Sequence, residues 1–203
     1  MTRPTTTSAE AAAPKRRRAD AERSVAAILD AGLEALASDP DSSMSEIARR
    51  AGVVRATIYV HFPTRTDLLD AVMEYATAQV VEAMKGAEPH RSEPAEALER
   101  VLRATWRQLA QFHGLLALNA ARLSVEELHR RHVPMLDQIE PLIERGQKQG
   151  VFRSDLPVAW HLAVVRAIVH AASAAVQGGR LAESEAEAAM LTTAINAIAT
   201  PRV

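Results

Sequence analysis

Between Asp39-Pro40 and Pro63-Thr64 the chain has room for only two short helices, and Gly52 stands between them. Asp39-Pro40 ends whatever helix precedes it. Ser43-Met44-Ser45-Glu46 reads as a capping box, opening a helix that runs to about Ala51. Gly52 breaks that helix, since a tight turn often needs positive φ. The next helix covers about Arg55 to His61, with Val53, Ile58 and Phe62 spaced to point into a small core. Upstream, Val25, Ile28, Leu29, Leu33 and Leu36 recur at helical period and predict a helix from about Ala21 to Ala37, with Asp20 as its N-cap. Three short helices with a glycine turn between the second and third suit DNA binding. The second braces the third, which lies in the major groove, where base edges are distinguishable. A helical hairpin that merely packs has the same spacing, so spacing alone leaves both readings open.

The rest of the chain also reads as helix. Apolar residues make up 48% of it, Ala and Leu foremost, and aromatics only 3%, a balance that favours closely packed helices over sheets. Thr64 with Asp67 can cap a fourth helix through about Met84, and a loop follows from Gly86 to Pro94. Ala97, Val101, Leu102, Trp106 and Leu109 mark an amphipathic helix, and His113-Gly114 a break before an apolar helix, Leu115 to Leu123. Ser124 to Arg145 is helical, with Pro134 and Pro141 each expected to kink or end a segment. Val151 to Asp155 is a loop, Pro157 to Gln177 is apolar nearly all round, and Ser184 with Glu187 is expected to cap a last helix to about Ala199. The expected class is all-α, with eight to nine helices and no strand. Residues 1–18 form a basic arm, 19–66 a three-helix domain and 67–203 a larger helical domain. The arm, ending in Lys15, Arg16, Arg17 and Arg18, is expected to be disordered. A role at DNA and a role as a solubilising tail both fit its composition.

Charge is distributed unevenly around a formal net of −1. Residues 1–66 hold ten Lys/Arg against eight Asp/Glu, and 67–203 hold fourteen against seventeen. Within residues 44–66, Arg49, Arg50, Arg55 and Arg65 face a single acid, Glu46, which is a local positive field of the kind that meets phosphate. With no cysteine, disulfides, thiolate catalysis and Cys-based zinc sites are excluded. No run of about 18 apolar residues is seen and the N-terminus lacks the apolar segment of a secretory signal, so no membrane span and a cytoplasmic location are expected. No phosphate loop or nucleophile motif appears, so neither an enzyme nor a cofactor is expected. His129 and His132, at i and i+3 beside Glu126 and Glu127, have a spacing that could in principle hold a metal. Their segment is strongly charged and reads as solvated, so no metal is expected there.

Ser43-Met44-Ser45-Glu46-Ile47-Ala48-Arg49-Arg50-Ala51-Gly52-Val53 resembles the second helix and turn of TetR-family bacterial transcription regulators. Thr57-Ile58-Tyr59-Val60-His61-Phe62-Pro63-Thr64-Arg65 is similar to the family's T-L-Y-x-H-F-x-S-K signature, and Leu68, Leu69 and Ala71 complete it. The likeness covers about 50 residues, Val25 to Val72. A further stretch, Arg145 to Arg153, is similar to a loop common before the family's dimerisation helices. The resemblance implies that Ser45 starts the second helix near phosphate or a base. Arg55, Ala56, Thr57 and Val60 would lie along the groove-facing side of the third helix, Tyr59 and His61 on phosphates, and Arg65 would be a phosphate clamp. Two residues depart from the pattern. Val54 sits where the family usually caps the third helix with Ser or Thr, and Val60 replaces a commoner aromatic or polar residue.

The resemblance further implies a homodimer on double-stranded DNA with a palindromic operator. Its larger domain would dimerise through the last two helices and hold a small-molecule effector that releases the repressor. Candidate pocket residues are Trp106, Phe112, His113, Leu116, Asn119, Met135, Trp160, His161 and Arg166. Arg166 is the sole charge in an apolar helix and needs a partner: a carboxylate of its own chain, one across the dimer interface, or an acidic ligand. Structural pairing is the expectation. A protein of the same fold without small-molecule gating, acting in chromosome organisation or answering to a protein partner, is the alternative.

Overall fold

A computed structural model describes residues 12–111 and 123–201, with backbone alone for residues 12–17 and 125. The chain forms two compact units, Met1–Val72 and Met73–Val203. The division falls inside a helix, six residues beyond the expected 66/67 boundary.

The first unit holds α1 (Ala12–Ser38), α2 (Met44–Arg50), α3 (Arg55–His61) and the start of α4 (Arg65–Gly86). Seven-residue helices are marginal in water by themselves, so α2 and α3 exist through packing. Each lies against α1 and against the other, burying Met44, Ile47 and Ile58 with Ile28, Leu36 and Phe62. Ser43 accepts a hydrogen bond from the Glu46 N–H at 3.2 Å, while the Glu46 carboxylate pairs with Arg50 at 2.9 Å instead of returning to the cap. Gly52 adopts φ 68°, the left-handed turn expected of it. Thr64 and Asp67 cap α4 reciprocally, at 2.9 and 3.1 Å.

The first helix corrects the sequence reading. It begins at Ala12, so residues 15–18 lie in helix and not in a disordered arm, and Asp20 is an interior residue rather than the N-cap. Pro14 sits in the first turn, where a missing N–H costs nothing, and the alanines and arginines after it are good helix formers. Exposed Arg18–Glu22 and Arg23–Asp20 pairs add to that turn-by-turn support.

The second unit holds the rest of α4, then α5 (Pro94–Ala110), α6 (Val125–Lys148), α7 (Val158–Gln177) and α8 (Glu183–Ile198). The described residues thus contain eight helices and no strand beyond one isolated antiparallel bridge, Phe152 to Ala199. The expected break at His113-Gly114 and most of the helix after it lie outside the described residues. α7 packs against α8, α6 and α5, and α5 also against α6 and α8. Their core is built on Leu98, Leu102, Trp106, Ile143, Phe152, Val165, Met190 and Ile198. Pro134 and Pro141 interrupt nothing: α6 runs through both, and both are exposed, where water can take the carbonyls they leave unpaired. Ser124 and Glu127 form the complete capping box of α6. The last helix starts one residue before Ser184, and the cap comes from Glu185, whose carboxylate accepts from the Ala182 N–H at 2.9 Å.

Two arginines pin the loop between α4 and α5. Arg100 donates to the carbonyls of Ala87, Glu88 and Arg91, and Arg145 to those of Pro89, His90 and Ser92. By length and hydropathy alone α7 is long and apolar enough to cross a membrane, with mean hydropathy 1.4 over its most apolar window, a test that a core helix also passes. Arg166 stands near its middle, where a charge is costly in lipid.

Close packing at the end of α6 gives a stability test. A Cβ on Gly146 would stand 2.1 Å from the ring of Phe152, which is itself buried. Gly146→Ala is expected to cost about 1–3 kcal/mol by overpacking, read as a lower urea midpoint at unchanged m-value. An unchanged midpoint would show that the ring can retreat.

Candidate functional site

In the first unit, burial of Ile58 and Phe62 turns the opposite face of α3 to solvent. Arg55, Ala56, Tyr59 and Val60 are exposed there, Thr57 and His61 half-buried, and Ser45 is exposed on α2. The Arg55 guanidinium lies over the Tyr59 ring, 5.5 Å from its centroid, which orients both one helical turn apart. Val60 and Val54 are 76% and 71% exposed, two large apolar side chains left in water beside a cation-bearing helix. Arg49 and Arg50 are exposed on α2. The surface therefore offers positive charge, hydrogen-bonding groups and methyls on one short helix, the set that meets phosphates and base edges.

Arg65 carries a load that the sequence did not reveal. It is half-buried, and its guanidinium donates to the carbonyls of Ser42 and of Pro40, the latter at 2.5 Å. Those bonds tie the α1–α2 loop to the start of α4. Arginine has five N–H donors, so such a tie is compatible with a phosphate contact but adds a structural role to it. In the basic run, Arg18 is exposed and paired with Glu22 at 3.2 Å, and Lys15, Arg16 and Arg17 are described by backbone alone.

The second unit encloses an apolar cavity with an empty volume of about 860 Å³, its mouth included. α4 contributes Met73, Ala76, Thr77, Val80 and Met84 to the wall, α5 Leu102, Thr105 and Leu109, α6 His132, Met135, Leu136 and Ile139, and α7 Leu162, Val165, Arg166, Val169, His170 and Ser173. Polar groups gather at one part of that wall. The Nε2 atoms of His132 and His170 are 3.1 Å apart, and His132 Nδ1 lies 2.6 Å from the Leu128 carbonyl. A carbonyl can only accept, so Nδ1 of His132 carries the proton and, in the neutral ring, its Nε2 accepts from His170. Loss of hydration holds both imidazoles below the usual histidine range, although His170 as a residue is exposed, and the nearby Arg166 charge pushes the same way.

Of the pocket candidates read from the sequence, Met135 and Arg166 line this cavity. Trp106 is fully buried in the core, and Trp160 is 55% exposed on the outer side of α7. His161 is buried with its Nε2 donating to the Arg153 carbonyl at 2.8 Å, a bond that holds the loop before α7. Phe112, His113, Leu116 and Asn119 lie outside the described residues. His170 was missed, although its place one turn after Arg166 is a signal that sequence carries. His132 belongs with His170, from which it is 38 residues distant, and His129 is exposed. Among the described residues no three His, Asp or Glu side chains come together as a metal site. Arg166 has no carboxylate partner among the described residues, so of the two structural pairings expected for it, the one within its own chain is not met there.

Residues 28–72 match the family described as bacterial regulatory proteins, tetR family, and residues 94–199 match the tetracyclin repressor-like C-terminal domain. The chain is 28% identical over 181 residues to the HTH-type transcriptional repressor LfrR of Mycolicibacterium smegmatis, an alignment covering 89% of this chain and 94% of that one. It is 26% identical over 152 residues to the HTH-type transcriptional regulator NfxB of Pseudomonas aeruginosa, covering 74% and 81%. Among solved structures, LfrR from Mycobacterium smegmatis in complex with proflavine superposes with a TM-score of 0.65 at 26% identity, over 89% of this chain and 98% of that one.

The start of α3 supplies a direct test of its local energetics. Val54 has the extended conformation of an N-cap, φ −73° and ψ 150°, and provides no side-chain bond to the helix. Val54→Ser is expected to stabilise the protein by about 1 kcal/mol, seen as a higher urea midpoint. No gain would mean that solvent already satisfies those N–H groups equally well.

Proposed function

The chain belongs to the tetR family of bacterial regulatory proteins and is a DNA-binding transcription regulator. On that footing we propose a homodimeric repressor, acting in the cytoplasm, that binds a palindromic operator and leaves it when a small molecule enters the cavity of the second unit. The observation that carries the DNA reading is the face of α3: Arg55, Ala56, Tyr59 and Val60 stand in solvent while Ile58 is buried beneath them. Arg55, Ala56, Thr57 and Val60 are assigned to the groove, with Ser45, Tyr59, His61 and Arg65 on its phosphate borders.

The dimer reading rests on α7. Its outer side presents Trp160, Ala167, Ala171 and Ala174, one stripe at helical period made mostly of small side chains. On α8, Ala188, Ala189, Thr192 and Ala197 are exposed as well. Small residues let backbones approach closely, which suits a four-helix contact with a second copy. Two recognition helices about 34–36 Å apart then match successive major grooves. Gating is assigned to α4, a continuous helix from Arg65, just after α3, to Gly86, whose later half lines the cavity. A ligand that shifts that half disturbs the spacing of the recognition helices. It needs to favour the non-binding state by only a few kcal/mol to empty the operator. The proflavine complex of LfrR supports reading the cavity as the effector site.

Fluorescence anisotropy on the duplex upstream of the protein's own gene, at two salt concentrations and against random DNA, tests the operator reading. Nanomolar binding that survives competition is expected, and binding that random DNA abolishes would leave a non-specific architectural role. Tyr59→Phe is expected to weaken specific and random duplexes alike, by about 1 kcal/mol or roughly fivefold, as the loss of one phosphate hydrogen bond. A loss confined to the specific duplex would reassign Tyr59 to base reading. Ala171→Arg places a charge in the proposed dimer face. Light scattering is expected to show a monomer that no longer holds the palindrome, and a dimer that persists would move the interface elsewhere.

A further inference from the structure

We propose that the cavity takes an amphipathic monoanion, its apolar part among residues such as Met73, Val80, Leu102 and Leu136 and its carboxylate, or a similar anionic group, on the Arg166 guanidinium. The proposal rests on reading the cavity as the effector site, and it adds the chemical class of the occupant. Among the described lining residues there is no Asp or Glu, and Arg166 is the one described side chain there that is charged at every working pH. It is half-buried, the helix carries no other Arg or Lys and no Asp or Glu, and no described carboxylate pairs with it. A cation withdrawn from water without a counter-charge is costly, and an anion that meets it bidentately recovers that cost.

The two alternative partners are poorly placed. At 3.6 residues per turn, Arg166 lies about 120° around α7 from the centre of the Trp160–Ala167–Ala171–Ala174 stripe. It shares the cavity side with Leu162, Val169 and Ser173, so a carboxylate across the proposed dimer interface would have to cross the helix to reach it. His132 and His170 do not compete for an anion. Their hydrogen bond uses the His170 Nε2 proton, and the Leu128 carbonyl takes the His132 Nδ1 proton. The pair forms a neutral polar wall beside the guanidinium.

Three probes of equal chain length and different head group decide the matter: decanoate, decanol and decyltrimethylammonium, each titrated calorimetrically into the full-length protein below micellar concentration. Decanoate is expected to bind at least tenfold more tightly than decanol, and the ammonium more weakly than either. Arg166→Met should bring decanoate down to the affinity of decanol while leaving decanol unchanged, and Arg166→Lys should restore part of the preference. Circular dichroism confirms that each variant is folded, and if Arg166→Met is not, Arg166→Lys with Arg166→Gln carries the comparison. Equal binding of decanoate and decanol, or preference for the ammonium, would overturn the anion site and leave the effector reading standing. Failure of all three to bind would overturn both.

Discussion

α7 is a twenty-residue helix with almost no polar face, and the second unit is organised by the need to cover it. One side is buried against α5, α6 and α8, where Ala172 enters the core and Leu162 and Val165 stand between core and cavity. A second side borders an apolar cavity that those helices do not fill. The third, carrying Trp160 and the small residues, meets solvent in the single chain. An apolar helix in water must be covered on all its faces to be stable. A core, a ligand and a second copy are three ways to cover it, so the proposed dimer and the proposed effector answer one physical demand. Arg166 makes that demand chemical as well as geometric, because it puts a charge in a mostly apolar wall whose other polar groups are neutral.

The first unit follows a different logic. Its α2 and α3 are too short to hold themselves, so their inner faces are committed to α1 and to each other. That commitment frees the outer face of α3 from any structural duty, which is why Val60 and Tyr59 can stand exposed. Arg65 is the exception. It works for the fold by bonding the carbonyls that end the α1–α2 loop, and its remaining donors are what a phosphate could use. Residues that serve stability and binding together make mutational data hard to read unless folding is measured beside affinity.

Local signals in the sequence were read well where chemistry is local. The Ser43 cap, the left-handed Gly52, the Thr64–Asp67 cap and the uncapped Val54 are interactions spanning three residues or fewer, and sequence order places such partners side by side. Errors arose where neighbours in space decide. Pro134 and Pro141 carry the sequence mark of a broken helix, yet exposure to water and support from α5 and α7 let α6 run through. α1 starts early because nothing near Ala12 stops it, so a composition that suggested a loose tail lies in helix. The cavity was legible only in part. Met135 and Arg166 were among the candidates, whereas His170 and the wall from α4 depend on which helix faces which.

The sequence by itself determined the helical class, the helix-turn-helix and the residues on the outer face of α3. All of these follow from periodicity, capping and short-range breakers within a few turns of chain. Only the tertiary structure decided the rest. It joined His132 to His170 across 38 residues, tied Arg65 to the loop before α2, and left Arg166 in a cavity whose described lining holds no carboxylate. The physical reason is the same in each case. A hydrogen bond or a charge pair acts over a few ångströms, and which groups come that close is settled by helix packing, which the order of residues constrains but does not spell out.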